Sequence, residues 1–134
     1  MWLQPKKTKY KKVHKGKLSK FNFCSNKLKF GNIGLKATNS GTISSRHIEA
    51  ARQAIVRKLN RKGKLWIRVF PTIPITAKPT EVRMGKGKGN VSHWGVKVNA
   101  GTILFEIYGV AKNVAISAFK TGGAKLPVKT IIML

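Results

Sequence analysis

The sequence predicts an α+β domain: a mostly antiparallel sheet with two helices packed on it, a basic extended arm in front and a long glycine–lysine loop. Three observations carry this. The chain has 134 residues and is 42% hydrophobic, which suits one ordinary domain with a real core. Period-two alternation recurs along the chain between glycine, proline and asparagine turn signals. Helical spacing occurs in only two stretches, with strands before, between and after them. No internal repeat or second domain is visible, so residues 1–27 read as the arm and 28–134 as the body.

The arm opens with "MWLQPKKTKYKKVHKGKLSK", eight lysines and no acid. Its apolar residues Trp2, Leu3, Tyr10, Val13 and Leu18 fit neither helical nor strand periodicity, and no continuous apolar run makes it a secretory signal. It reads as a segment that is solvated and mobile in the free protein and orders along phosphates on binding, with Tyr10 and His14 available to stack or hydrogen-bond.

The body starts near Leu28. "LKFGNIGLKA" alternates as a strand, with Ile33, Leu35 and Ala37 on one face, and "TNSG" at 38–41 signals a turn. A helix follows, capped by Ser44 or Ser45 and flanked by Ile43 and Ile48 at staple spacing. Ile48, Ala51, Ile55 and Leu59 form its apolar face, and "KG" at 62–63 ends it. The opposite face carries Arg46, Arg57 and Arg61, with Glu49 read as a first-turn acid.

"LWIRVF" at 65–70 is a strand, with Leu65, Ile67 and Val69 opposite Trp66, Arg68 and Phe70; Trp66 is assigned to the core rather than to a stacking platform. Pro71, Pro74 and Pro79 mark an extended linker that cannot be a central strand throughout. Residues 91–98 resume a strand, and "TILFEIY" at 102–108 alternates Ile103, Phe105 and Ile107 against Leu104, Glu106 and Tyr108. A weaker helix over 111–126 uses Val114, Ala118 and Phe119, is loosened by Gly122 and Gly123, and stops at Pro127. The last residues, "VKTIIML", read as a strand.

Charge narrows the function. There are 28 Lys and Arg against three acids, a net +25. A compact domain with that charge repels itself, and a polyanion is the partner that offsets it, because each neutralised phosphate releases counterions. Cys24 stands alone, so no intrachain disulfide forms, and it is expected to be buried or half-buried. His14, His47 and His93 match no zinc spacing, so neither a metal nor another cofactor is expected. With Glu49, Glu81 and Glu106 the only acids, and no nucleophile elbow or Cys–His pair, the chain reads as a non-enzyme.

The loop "RMGKGKGN" at 83–90 joins two extended segments. It satisfies neither a Walker motif nor a dinucleotide fingerprint, since Asn90 stands where the third glycine belongs. Gly85, Gly87 and Gly89 suit a backbone that passes close to another surface, where its N–H groups can approach phosphate or sugar oxygens. Lys86 and Lys88 supply point charges and Arg83 a bidentate fork.

The blocks "LQPKKTKYKKVHKGK", "FGNIGLKA", "RHIEAARQAIVRKLNRKGKLWIRVFPTIPITAKPTEVRMGKGKGNV" and "AFKTGGAKLPVKT", in this order, resemble the bacterial-type large-subunit ribosomal protein L-sixteen family from Leu3 to about Thr130. The resemblance implies a hammerhead-type α+β fold that binds large-subunit ribosomal RNA and sits beside neighbouring large-subunit proteins. It further implies a loop reaching towards the peptidyl-transferase region near the aminoacyl-tRNA site, a transient contact with aminoacyl-tRNA, and a part in late subunit assembly. It implies an RNA-bound set of Lys6, Lys7, Lys9, Lys11, Lys12, His14 and Lys15, joined by Arg46, Arg57, Arg61 and Arg68. The tRNA-site loop would be Arg83, Met84, Gly85, Lys86, Gly87, Lys88, Gly89 and Asn90. No membrane contact or homo-oligomer is expected. "VAKNV" at the second helix, and Ser92 with His93, depart from the usual pattern of the family.

The family's N-terminus coincides with Met1 or Trp2, which leaves no room for a presequence and predicts synthesis where the ribosome works. Lysine outnumbers arginine 22 to 6, as AT-rich coding favours. The expectation is an organelle-encoded protein of a mitochondrial ribosome, with a plastid or bacterial cytoplasm as alternative. Two rivals are allowed by charge alone: a nucleoid-type DNA-binding protein, and a membrane-surface protein, the latter disfavoured because the basic helix lacks a bulky aromatic face.

Overall fold

The computed structural model describes residues 3–18 and 20–134. Trp2, counted above among the arm's apolar residues, lies outside them. The elements run β1 (Ile33–Ala37), β2 (Gly41–Ser44), α1 (Ser45–Lys58), β3 (Lys64–Ile67), β4 (Ile73–Ala77), β5 (Asn90–Val98), β6 (Ile103–Tyr108), α2 (Lys112–Gly123) and β7 (Thr130–Met133).

The α+β class and the antiparallel pairing are as the sequence predicts, but the strands form two sheets. One is four-stranded in the order β3-β6-β1-β7, the other three-stranded in the order β2-β5-β4. The chain passes between them at Thr38–Ser40, through α1, and at Arg68–Thr72 and Asn99–Thr102. Helix α1 adjoins β2 and β5, α2 adjoins β1 and β7, and the helices pack on each other. The core therefore lies under the helix pair and includes Leu35, Ile43, Ile48, Ile55, Phe105 and Phe119.

Helix α1 starts as expected at a Ser44 cap: Ser44 Oγ accepts from the His47 amide (3.3 Å), and His47 Nδ1 accepts from the Ser44 amide (3.4 Å). Histidine thus takes the place usually held by Glu or Gln in a capping box. Glu49 lies beyond the first turn, so it does not serve as a first-turn acid; it binds Arg52 (2.6 and 2.9 Å) and Gln53 (3.1 Å). The helix ends at Lys58 rather than running to Lys62–Gly63, and Asn60 and Arg61 follow with φ of 51° and 60°.

Two elements hide behind turn and proline signals. "TNSG" is a turn as expected, and β2 is a short edge strand that follows it, over residues read only as the approach to the helix cap. β4 turns most of the proline-marked linker into an edge strand, with Pro74 opposite Trp94 on β5, a position that tolerates a missing donor. In α2 the buried face is Ala115, Ala118, Phe119 and Gly122, while Val114 is exposed.

β6 breaks the expected alternation, because Ile103–Ile107 are all buried. The register jumps from Leu35↔Phe105 to Lys36↔Ile103, so Leu104 is an extra residue that turns with Phe105 into the core. Ile103 then shares the other face with Glu106. Residues 25–31 cover that face: the Ile103 amide donates to the Ser25 carbonyl (3.1 Å), and Gly31 lies against Ile107 so closely that a Cβ would stand 2.6 Å from the Ile107 carbonyl oxygen.

Candidate nucleic-acid interface

The arm is laid along the body rather than projecting from it. Leu3 is buried in the core cluster, and a groove between the start of the arm, α1 and β5 is lined by Leu3, Gln4, Arg46, Gln53 and Trp94. Further on, Lys12 Nζ donates to the Lys88 carbonyl (2.8 Å), and Lys88 Nζ returns a bond to the Val13 carbonyl (2.6 Å). The Asn22 amide reaches the Ala100 carbonyl (2.8 Å), and Asn22 Nδ2 reaches the Thr102 hydroxyl (3.2 Å). Arm and glycine–lysine loop, 75 residues apart in sequence, thus meet through reciprocal lysine–carbonyl bonds. Sequence patterning carries no signal for such a pairing.

The loop is the turn of a long β4–β5 hairpin, which closes with Ala77 opposite Asn90. Gly85, Lys86 and Gly87 all have positive φ (93°, 52° and 88°), a run that favours glycine at two of the three positions. A Cβ on Gly85 or Gly87 would meet nothing within 4 Å, whereas one on Gly89 would strike the Ala77 carbonyl. Gly89 is therefore explained by the hairpin itself. Met84 is 98% exposed, and Arg83, Lys86 and Lys88 are exposed with it. Lys78 Nζ bonds the Gly85 carbonyl across the base of the turn.

The arm lysines Lys6, Lys7, Lys9, Lys11, Lys12 and Lys15 are exposed, as is His14. On α1, Arg46, Gln53 and Arg57 are exposed; at 100° per residue Arg46 and Arg57 fall about 20° apart, one stripe along the helix. Arg61 is exposed in the turn after the helix rather than on its face.

Arg68, expected to contact RNA, is engaged within the chain. Its guanidinium forms an ion pair with Glu106, whose side chain is wholly buried, and its own side chain is only 13% exposed. Glu106 also accepts from the backbone amides of Lys29 (3.2 Å), Phe30 (2.7 Å) and Gly31 (2.8 Å). Burial alone would raise this carboxyl; the three amides and Arg68 outweigh it and hold it below the usual range. The positive charge of Arg68 is thus committed to seating the 29–31 segment on β6. The only signal in sequence was an acid inside an apolar strand of a chain with three acids.

Trp66 is half-buried and stacks on the exposed Phe30 (centroids 5.9 Å apart, 21° between planes). Lys64 Nζ lies 5.2 Å from the Trp66 ring, and the Arg68 guanidinium 5.4 Å from the Phe30 ring. The expected core tryptophan is therefore the middle of a cation–aromatic ladder at the sheet surface. Cys24, expected to be buried or half-buried, is exposed.

Among the described residues only Arg52 and Arg68 pair with a carboxylate, so nearly all of the cationic charge is uncompensated within the chain. No three of His, Cys, Asp and Glu come together there, and no helix is long and apolar enough to cross a membrane. Fold and surface define a small α+β domain that displays a cationic arm, a helix stripe and a glycine-rich loop.

The family model for ribosomal protein L16p/L10e matches residues 5–133, and the chain belongs to that family. It is a family of ribosomal proteins and not of enzymes. The chain is 56% identical over 128 residues to the large ribosomal subunit protein uL16 of Halorhodospira halophila, covering 96% of this chain and 93% of that protein. It is 53% identical over 135 residues to the same-named protein of Cereibacter sphaeroides (98% and 96%), and 53% over 133 residues to that of Blochmanniella pennsylvanica (99% and 98%). The resemblance read from the arm, helix and loop blocks is thereby borne out.

Proposed function

We propose that this chain is a structural constituent of the large ribosomal subunit, binding large-subunit rRNA through its arm, the α1 stripe and the loop, beside neighbouring large-subunit proteins. The observation that carries this reading is the uncompensated cationic surface on a member of a ribosomal-protein family. The loop is the part that helps shape the aminoacyl-tRNA site near the peptidyl-transferase centre and touches aminoacyl-tRNA transiently. Open space around Gly85 and Gly87, with Arg83, Met84 and Lys86 exposed beside them, supports a backbone meant to approach a surface outside the chain. Peptidyl transfer then belongs to RNA, with this protein supplying position and charge, including during late assembly of the subunit.

The ratio of 22 lysines to 6 arginines supports an organelle-encoded member acting in a mitochondrial ribosome; the bacterial relatives support a bacterial cytoplasm as the alternative. The test is sedimentation of native extract at physiological salt, with mitochondrial and whole-cell fractions run in parallel. The chain should co-sediment with large subunits and leave only under high-salt washes. Migration with DNA or light membranes would overturn the reading. Full assembly and unimpaired translation by a Lys86→Gln/Lys88→Gln variant would overturn the role given to the loop.

A further inference from the structure

The fold brings one arm lysine of the interface above together with three residues that the interface does not use, His47, His93 and Lys97. A pocket of about 200 Å³ opens between the arm, β2, the start of α1, β4 and β5. Lys15 enters it from the arm, His47 from the first turn of α1, and His93 and Lys97 from β5. Thr42 adds a hydroxyl, and Ile73 and Ile75 give it apolar lining. No carboxylate lines the pocket, and among the described residues neither lysine pairs with one. The arm is drawn close here: a Cβ on Gly16 would stand 3.4 Å from Lys97 Nζ.

The four side chains line one cavity, and their polar groups are of compatible kinds. His47 Nδ1 accepts the Ser44 amide, which leaves Nε2 as the donor of the neutral ring. Two ammonium groups, imidazole N–H donors and a hydroxyl at one concave place suit a tetrahedral oxyanion rather than a planar carboxylate fork, which would favour arginine. The pocket has room for one phosphate group. In a chain of net +25, holding two lysines around one cavity adds to self-repulsion unless an anion sits between them.

We propose that Lys15, His47, His93 and Lys97 form a phosphate pocket that seats one backbone phosphodiester of RNA, fixing the arm, α1 and the second sheet on the same nucleotide. This rests on the RNA-binding reading for the source of the phosphate, and on the pocket geometry alone for the site.

Two arms of one experiment separate these. In the first, inorganic phosphate is titrated into the full chain at fixed pH and ionic strength, with chloride as the balancing anion, and the histidine rings are followed by NMR. The rings of His47 and His93 should shift on one saturable curve, and the curve should be lost in Lys97→Gln and Lys15→Gln. The second substitution lies on the arm, so it keeps the test valid should the first disturb β5. A non-saturating shift, or a curve unchanged in both variants, would overturn the site. In the second arm, binding to a large-subunit rRNA fragment is measured against salt. Each single variant should reduce the slope of log K against log[salt] by about 0.7, one single-strand phosphate. The double variant should lose no more than either single one, because both lysines serve the same phosphate. Additive losses equal to those of a Lys58→Gln control would overturn the pocket as an RNA contact. Saturable phosphate binding by a chain that does not bind the RNA fragment would overturn the RNA source and leave a free-phosphate site.

Discussion

Replacing Glu106 with Gln should separate the seat of the 29–31 segment from the rest of the fold. The substitution keeps shape and volume but removes the charge that Arg68 and three backbone amides converge upon. Glutamine offers one acceptor oxygen, and its NH2 group must face donors. Leaving a buried donor unmet costs about 1–3 kcal/mol, and breaking a buried ion pair about 3–5 kcal/mol. Because Arg68 keeps 13% exposure and can turn partly to water, the lower end applies, about 3 kcal/mol. At roughly 3–4 °C per kcal/mol for a chain of this size, Tm should fall by about 10 °C. Circular dichroism melts give the shift, and hydrogen exchange should show the amides of Lys29, Phe30 and Gly31 losing protection first. The pH dependence has a definite sign. A carboxyl held below its usual value contributes stability that is present above the unfolded value near 4.5 and is lost as pH falls through the lower folded value. Glu106→Gln should therefore have a shallower acid limb below pH 4.5 than the wild type. A Tm change under about 3 °C with unchanged exchange at 29–31 would refute the reasoning.

Three further outcomes are expected. Ser44→Ala removes one half of the α1 cap and should cost about 1 kcal/mol in urea unfolding; no change would mean the capping bonds do not persist in solution. Gly122→Ala would place a Cβ 2.5 Å from Ile55 Cγ1, in a helix contact where Ile55 is fully buried, so overpacking of about 1–3 kcal/mol exceeds the gain of up to ~1 kcal/mol in helix propensity, and a stabilised variant would contradict the close packing of α1 on α2. Gly89→Ala should lower Tm by striking the Ala77 carbonyl, and Gly85→Ala, which meets no atom but strains an exposed turn at φ 93°, should lower it less; the reverse order would remove the distinction between the two glycines.

Much of the domain was legible because it rests on local physics. The Ser44 cap with its Ile43 and Ile48 flanks, the apolar stripe of α1 and the hairpin origin of the loop depend on residues near one another in sequence. What was misread depends on distant partners. Arg68 alternates like a surface residue, yet Glu106, 38 positions later, draws its charge inward. Ile103–Ile107 lose their alternation through a register jump against β1 and a covering segment from residues 25–31, neither of which leaves a local pattern. Proline at 74 argued for a linker because it cannot donate, and an edge position on β4 removes that objection.

The sequence by itself determined the α+β class, the excess of positive charge and the family, since composition, periodicity and motif order are properties of the chain read in line. The tertiary structure alone decided where the charge is displayed and where it is spent. It clasped Lys12 and Lys88 to each other's backbone segments, turned Arg68 onto Glu106, and gathered Lys15, His47, His93 and Lys97 around one cavity. The reason is physical: ion pairs and pockets are set by through-space distances of a few ångströms, and those exist only once the sheets and helices have packed.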